Sequence, residues 1–103
     1  MQNKNGVTAL MFAANNGHPE CVKILAPLEK GMKDNNGWTA LMNAAWKGHP
    51  ECVKILVPLE KGMQNKYGET ALMKAAMKGH FECVKILAPL EKGMKKNGGY
   101  TAK

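Results

Sequence analysis

Serine and arginine are absent from the 103-residue sequence, and aspartate occurs once, at Asp34. Without serine, no serine nucleophile can be built. Without arginine, the chain lacks the planar guanidinium that binds guanine edges and phosphates through paired hydrogen bonds, and lysine supplies only point charges. These absences exclude serine hydrolases and argue against sequence-specific recognition of nucleic acid.

Long apolar runs are also missing. Segments such as Ile-Leu-Val-Pro-Leu at 55–59 are far shorter than the roughly 18 residues that a spanning helix requires, so no membrane association is expected. The amino-terminal segment, 1–6, has no basic head followed by an apolar core, and a secretory signal is therefore not predicted. We expect a cytoplasmic protein.

Internal repetition dominates a composition that is otherwise ordinary for a globular domain, with 45% hydrophobic and 22% charged residues. A glycine recurs every 31 residues, at Gly6, Gly37, Gly68 and Gly99. Three copies align without insertion or deletion, and 21 of their 31 columns are identical. We therefore predict a single repeat domain spanning 1–103. It divides into the end of a partial repeat (1–5), three full repeats (6–36, 37–67 and 68–98) and the start of another (99–103).

Each repeat has the pattern of two short helices. In the second repeat, residues 39–47 contain no glycine or proline and are rich in alanine, leucine and methionine, which favour a helix. Gly48-His49-Pro50 follows, where glycine ends one helix and proline starts the next. A helix-turn-helix is therefore predicted in every repeat.

Helix two is predicted to bury one stripe and to end early. Apolar residues at helical spacing should lie in the core: Cys52, Val53, Ile55, Leu56 and Leu59. The carboxylates of this helix, Glu20 and Glu29 in the first repeat, alternate with lysine and are expected on a solvated face. Pro58 removes a backbone donor and crowds the carbonyl of Lys54, so the regular helix should end or kink near Val57, and likewise in the other repeats.

A motif in the second repeat resembles the ankyrin repeat: Gly37-x-Thr39-Ala40-Leu41-Met42-x-Ala44-Ala45-x-x-Gly48-His49-x-Glu51-x-Val53-x-x-Leu56. The resemblance covers essentially the whole chain. Ankyrin repeats have a period of about 33 and a Thr-Pro-Leu-His-x-Ala signature. This chain has a period of 31, and alanine and methionine replace the proline and histidine. The resemblance implies an all-α solenoid of three helix-turn-helix repeats. The six-residue step from Gly62 to Gly68 predicts a short turn between repeats, not a long finger.

Partner-binding residues are expected in the columns that differ between copies, because those positions are free of the shared packing role. In ankyrin proteins the corresponding places, the turn tips and the exposed face of helix one, form the concave surface that binds partners. The resemblance therefore implies a non-catalytic protein-interaction module that uses Trp38, Trp46, Tyr67, Met77, Lys47, Lys74 and Lys78. An exposed tryptophan can dominate an interface. The alternative is that the two tryptophans pad the groove or that Trp46 packs between repeats.

The formal net charge of +7 comes from the variable columns and the chain ends, because six lysines and six glutamates in invariant columns cancel. The remaining lysines oppose only Asp34 and Glu69; they are Lys4, Lys33, Lys47, Lys66, Lys74, Lys78, Lys95, Lys96 and Lys103. Such a field steers acidic partners, so an acidic protein surface is the expected partner. Nonspecific polyanion binding, or lysines that simply keep the solenoid soluble, are the alternatives.

Cysteine and histidine suggest neither a metal site nor catalysis. Cys21, Cys52 and Cys83 share one column on the buried stripe, where neighbouring repeats stand too far apart for disulfides, so reduced core thiols are expected. His18, His49 and His80 precede them by three residues. These pairs are spread along the solenoid and would not converge as zinc ligands, so the histidines are expected to satisfy the loop between the helices. We predict no metal, no cofactor and no enzymatic activity.

A second class of function follows from the ends of the chain. Terminal repeats normally carry a polar outer face, whereas the first repeat keeps Val22 and Leu25 and the third keeps Val84 and Leu87. The structural alternative is therefore an engineered or consensus-built scaffold whose uncapped ends self-associate and which has no native ligand. A third reading makes the chain a fragment of a longer array attached to an enzyme elsewhere.

Overall fold

The computed structural model describes residue 2 and residues 4–91, the last two by their backbone alone. This part of the chain contains six helices and no strand, which confirms the all-α prediction. The helices are α1 (Ala9–Asn15), α2 (Pro19–Glu29), α3 (Ala40–Lys47), α4 (Pro50–Glu60), α5 (Ala71–Lys78) and α6 (Phe81–Glu91). The partial repeat predicted at 99–103 lies outside the described residues.

The helices form two layers. The first helices of the repeats, α1, α3 and α5, pack side by side, and so do the second helices, α2, α4 and α6. Each first helix also packs against the second helix of its own repeat. The largest side chains of the core lie between the layers: Leu10, Met11, Leu41, Met42, Leu56, Met73 and Leu87. No described helix is long and apolar enough to cross a bilayer.

Threonine starts the first helix of each repeat. The hydroxyl of Thr39 accepts a hydrogen bond from the N–H of Met42 at 3.2 Å, and Thr8 and Thr70 cap α1 and α5 in the same way. In the first repeat the sulfur of Met11 accepts the N–H of Thr8 at 3.4 Å, which completes a reciprocal cap. Methionine therefore takes a capping role at the position where the ankyrin signature has histidine.

The link between the two helices is confirmed. Gly48 has φ +78°, the left-handed conformation that glycine adopts without steric cost, and it ends α3. Pro50 opens α4, where its missing N–H would have had no partner in the helix. The third repeat has Phe81 at the proline position and forms the same link.

The prediction that helix two ends near its proline is wrong, and the alternative, a kink at that point, stays a prediction. Helix α4 continues through Pro58 to Glu60, and α2 and α6 likewise contain their proline. Only the bond to the Lys54 carbonyl is lost, and Lys54 and Pro58 are both exposed, so water can replace it. Beyond the proline the N–H of Lys61 donates to the Val57 carbonyl at 3.0 Å. A proline in the last turn therefore costs too little to stop the helix.

The expected solvated face of helix two holds only for its first turn, where Glu51 is exposed. Glu60 is 1% exposed, because its carboxylate binds the start of the neighbouring helix. One oxygen accepts the N–H of Leu41 at 2.9 Å and the other accepts the N–H of Gly31 at 2.8 Å. Glu29 accepts the N–H of Leu10 at 2.9 Å in the same manner. The second glutamate of the helix is thus a structural anchor between helices.

Short turns connect the repeats and bond to one another. The N–H of Lys66 donates to the Asn36 carbonyl and the N–H of Asn35 donates to the Asn5 carbonyl, both at 3.0 Å. Gly37 is required here, since it has φ +82° and a Cβ would lie 2.5 Å from the Lys66 nitrogen. The connection between repeats is therefore a compact turn, as the six-residue step predicts.

The end face of the first repeat exposes apolar side chains whose equivalents in the second repeat are covered wholly or in part. Cys21 is exposed, whereas its equivalents Cys52 and Cys83 are buried. Ile24 is 71% exposed and Leu28 is 77% exposed. Leu59, the equivalent of Leu28, is still 39% exposed, so the prediction that it lies in the core is wrong. In the second and third repeats the preceding repeat covers this side of helix two, and no described residue does so in the first. The prediction of a buried thiol is wrong for Cys21 for this reason.

Candidate functional site

Two tryptophans meet on the surface formed by the exposed side of α1, α3 and α5 with the adjoining turns, here called the helix-one face. Trp38 follows the turn glycine, and its backbone N–H donates to the Asp34 carboxylate at 3.0 Å. Trp46 lies in the last turn of α3. The ring centroids are 5.6 Å apart and the rings are nearly perpendicular, an edge-to-face contact worth about 0.5 to 1.5 kcal/mol beyond burial. Both tryptophans are half-buried.

Lys74 of α5 fixes the tryptophan pair. Its Nζ lies 4.6 Å from the centroid of the Trp38 ring and 5.1 Å from that of Trp46. The same ammonium pairs with the Glu69 carboxylate at 2.6 Å, and both side chains are less than a tenth exposed. The side-chain amide of Asn65 donates to the same carboxylate oxygen at 2.9 Å. This network joins the second and third repeats and holds both indole rings in place.

The remaining predicted residues are displayed around this network. Lys78 is exposed and its Nζ lies 4.8 Å from the centroid of the Trp46 ring. Lys47 is also exposed. Met77 is 55% exposed and Tyr67, at the turn tip, is 56% exposed. These four side chains are therefore exposed, whereas the two indoles are half-buried.

The seven predicted residues do not form one contact cluster. The structure brings together Trp38, Trp46, Lys74 and Lys78. Within the described part of the chain, the side chains of Tyr67, Met77 and Lys47 make no hydrogen bond, ion pair or ring contact. Lys74 differs from the others because its ammonium is already bound inside the protein. It is placed to shape the site from within.

Glu69 belongs to this network, although it is not among the predicted partner-binding residues. It occupies the variable column that follows the turn glycine, as Trp38 does in the preceding repeat. Its signal was a lone acidic residue in a variable column, five positions before a variable lysine. That spacing places the Glu69 carboxylate at the turn and Lys74 in the first half of α5, close enough to pair.

Two of the three histidines, His49 and His80, bind the preceding repeat. Nε2 of His49 lies 2.9 Å from the Asn15 carbonyl, and Nε2 of His80 lies 2.9 Å from the Trp46 carbonyl. These carbonyls are at the end of helix one, where the helix leaves them without a partner. The bond thus joins successive repeats instead of closing the loop within one repeat.

The cysteines and acidic residues do not gather into a reactive site. Burial raises the pKa of the Cys52 thiol, and the neighbouring Glu51 charge raises it further, so the nucleophilic thiolate is disfavoured. Burial also raises the pKa of Cys83. Among the described residues, no three His, Cys, Asp or Glu side chains are placed to hold a metal ion. Lys95, Lys96 and Lys103, which carry part of the predicted basic character, lie outside the described residues.

The two layers of paired helices, the invariant columns and the turn-to-turn bonds define a helical repeat solenoid. The family model for ankyrin repeats (3 copies) matches residues 1–63 and 58–102. The chain therefore belongs to the ankyrin repeat family. Ankyrin repeats generally mediate interactions between proteins and typically carry no catalytic activity of their own. A search of curated proteins gives no significant match.

Proposed function

We propose that this chain is a non-catalytic interaction module that binds an acidic protein partner through the helix-one face. The observation that supports this proposal is the tryptophan pair, held by Lys74 and bordered by exposed Lys47 and Lys78. A rigid aromatic surface loses little conformational entropy when it binds, so more of its contact energy appears as affinity. Aromatic side chains of this kind commonly supply the hot spots of protein interfaces.

The charge of the surface favours an acidic partner. Lys74 is already neutralised by Glu69, whereas Lys47 and Lys78 are exposed cations that a partner would meet on this part of the face. Lysine at the rim of an interface mainly accelerates association and selects the sign of the partner. The tryptophan edges, with Met77 and Tyr67, would supply the apolar contact. The proposed partner surface therefore combines carboxylates with an apolar or aromatic side chain.

Selection from a random 16-residue peptide display library on the immobilised chain tests this proposal. We expect the enriched peptides to contain glutamate or aspartate beside apolar residues. Trp46→Ala should weaken their binding about tenfold or more, which corresponds to about 1.4 kcal/mol. Lys78→Glu should mainly lower the association rate, and its effect should shrink as salt is added, because the charge is exposed.

Lys54→Glu is the matched control, since it reverses an exposed charge on helix two, in the other layer. It should leave the affinity unchanged. If Trp46→Ala and Lys78→Glu both keep the affinity within a factor of two, the partner does not bind the helix-one face. If no peptide is enriched, or the enriched peptides are basic, the proposed partner class is wrong.

Self-association through the end faces is a second candidate, favoured by the exposure of Ile24 and Leu28. At the other end, Ala76 is exposed, whereas its equivalents Ala14 and Ala45 are completely buried by the next repeat. One end of a copy could therefore continue the stack of another. Such a head-to-tail contact does not close on itself, so it would produce open chains of copies. The chain would then serve as a structural scaffold.

A cytoplasmic location is part of the proposal. Its support is the state of the cysteines, which are all unpaired, with Cys21 exposed. Exposed free thiols persist in reducing compartments and are oxidised or paired in the secretory pathway.

A further inference from the structure

A cleft of about 390 Å³ lies on the helix-one face next to the tryptophan site, at the first and second repeats. Its polar lining consists of asparagine amides, and its apolar lining includes Val7 and Phe12. The asparagines are Asn5, Asn15, Asn16 and Asn43. Its volume falls in the range of roughly 300 to 1,000 Å³ that is usual for ligand sites.

The cleft occupies the position that the tryptophan network occupies one repeat later. Asn15 and Trp46 share one column of the repeat, and Asn43 and Lys74 share another. In both places the second residue reaches back to the first. The amide of Asn15 donates to the side-chain oxygen of Asn43 at 3.0 Å, whereas Lys74 lies over the Trp46 ring. The same site in the fold is thus neutral in one repeat and cationic and aromatic in the next.

The cleft is neutral, because none of the described side chains that line it carries a charge. It therefore has no attraction for the carboxylates that the neighbouring lysines favour. An asparagine side chain instead offers one carbonyl acceptor and two N–H donors, the same groups that a peptide bond presents. The chemistry of the cleft matches an uncharged stretch of main chain.

The side-chain amides of Asn15 and Asn16 are only partly used within the protein. Asn15 donates one N–H to Asn43, and Asn16 donates one N–H to the Phe12 carbonyl at 2.9 Å. Within the described residues, the side-chain oxygens of Asn15 and Asn16 accept no hydrogen bond. The bond between Asn15 and Asn43 holds the first of these amides in position. Each of these two amides therefore keeps an acceptor oxygen and a second N–H, the groups that would pair with a peptide N–H and carbonyl.

We propose that this cleft binds the main chain of an extended, uncharged peptide segment that belongs to the same partner. This inference rests on the proposed function. Asn15 and Asn16 would pair with peptide N–H and carbonyl groups, while Phe12, which is 56% exposed, would contact a side chain of the segment. Asn43 lies one helical turn before Trp46 and Lys47, so the two surfaces are continuous. The partner segment would then be neutral over the first repeat and acidic over the third.

Peptides from the display selection are the probe, each synthesised whole, as its acidic half alone, and with its neutral half N-methylated on the main chain. Affinities are measured by fluorescence anisotropy. We expect Asn15→Leu and Asn16→Leu each to weaken the whole peptide about fivefold and to leave the acidic half unchanged. N-methylation removes the peptide N–H donors and should produce a similar loss. Trp46→Ala should weaken both the whole peptide and its acidic half.

Asn16→Leu keeps the bond between Asn15 and Asn43, so it separates a lost contact with the peptide from a disturbed fold. Lys23→Leu, on exposed helix two, is the control for adding an apolar side chain. The inference is overturned, and the proposed function kept, if the acidic half binds as tightly as the whole peptide or if N-methylation has no effect. If no acidic peptide binds at all, the proposed function fails first and the inference fails with it.

Discussion

Lys74 illustrates how one residue changes its role with its surroundings. The three repeats place Phe12, Asn43 and Lys74 in one column, and each is the fourth residue of the first helix of its repeat. Only Lys74 meets two indole rings from the preceding repeat and a carboxylate from its own turn. Variation between copies predicts that the position is free to change. It does not predict that this lysine is buried, because burial depends on which side chains the neighbouring repeat supplies.

Replacing Lys74 with methionine should strongly destabilise the fold. The Glu69 carboxylate would remain buried without its cation, and breaking a buried ion pair in this way costs about 3 to 5 kcal/mol. For a domain of this size, with a total stability of about 5 to 15 kcal/mol, the loss should be plain in urea unfolding. We expect Lys74→Met to lower the free energy of unfolding by about 3 kcal/mol.

The double variant Glu69→Gln/Lys74→Met should recover much of this loss, since no charge is then left buried. Lys78→Met is the control. Its cation also lies over Trp46 but is exposed, so removing it should cost about 1 kcal/mol or less. If Lys74→Met lowers the free energy of unfolding no more than Lys78→Met does, the Glu69 charge is compensated in another way. Lys74 is then not needed to stabilise the network.

At the scale of the element, the second helix of the second repeat is anchored to the first by the buried carboxylate of Glu60. Burial raises the pKa of Glu60, and the hydrogen bonds from Gly31, Leu41 and Thr39 counter it only in part. A carboxyl with a higher pKa in the folded chain than in the unfolded chain binds more protons when folded. Its contribution to stability is therefore fully present below the unfolded pKa and is lost as pH rises through the folded pKa.

Glu60→Gln should reveal this dependence. The substitution keeps one acceptor but turns an N–H₂ group toward a backbone N–H, so a cost of about 1 to 3 kcal/mol is expected. The difference in unfolding free energy between the unsubstituted chain and the variant should be largest below about pH 4, which is near the ordinary pKa of glutamate. It should narrow toward neutral pH. Urea unfolding at a series of pH values measures it.

Glu51→Gln provides the comparison, because Glu51 is on the same helix but exposed, and its pairing with Lys54 at 3.6 Å contributes little. The free energy of unfolding of Glu51→Gln should stay close to that of the unsubstituted chain at every pH. If the difference in unfolding free energy between the unsubstituted chain and Glu60→Gln widens as pH rises, the ionised carboxylate is the stabilising form, contrary to this expectation.

The helices themselves could be predicted from the sequence, since glycine, proline and the threonine cap mark their ends locally. The ends of helix two could not. A rule based on Pro58 alone places the stop near Val57, but it omits the hydrogen bond from Lys61 and the anchoring of Glu60 by the neighbouring helix. Residues that are near in space but nineteen positions apart decide where this helix ends.

At the scale of the whole molecule, the two candidate functions use different surfaces: the helix-one face for partner binding and the end faces for self-association. Of the residues predicted from the variable columns, Tyr67, Met77, Lys47 and Lys78 are exposed, whereas Lys74 is buried. The sequence also indicates that the ends keep their apolar residues. What it cannot give is how much apolar surface the ends expose, because that depends on the packing angle between helices. The structure identifies Ile24 and Leu28 as large hydrophobic side chains exposed on the end face of the first repeat.

Burying Ile24 and Leu28 against a second copy would contribute about 3 to 6 kcal/mol in total. Association itself costs about 4 kcal/mol or more in lost translational and rotational freedom, so this contact is weak. We therefore expect sedimentation velocity to show a monomer at micromolar protein concentration. Over a hundredfold range of concentration, the mean mass should rise only at the highest values. The rise should persist in high salt, because the contact is apolar, and Leu28→Lys should abolish it. Tyr67→Lys, which adds the same charge at an exposed turn tip, should not. A mass that climbs from the lowest concentrations would instead make self-assembly the main property of the chain.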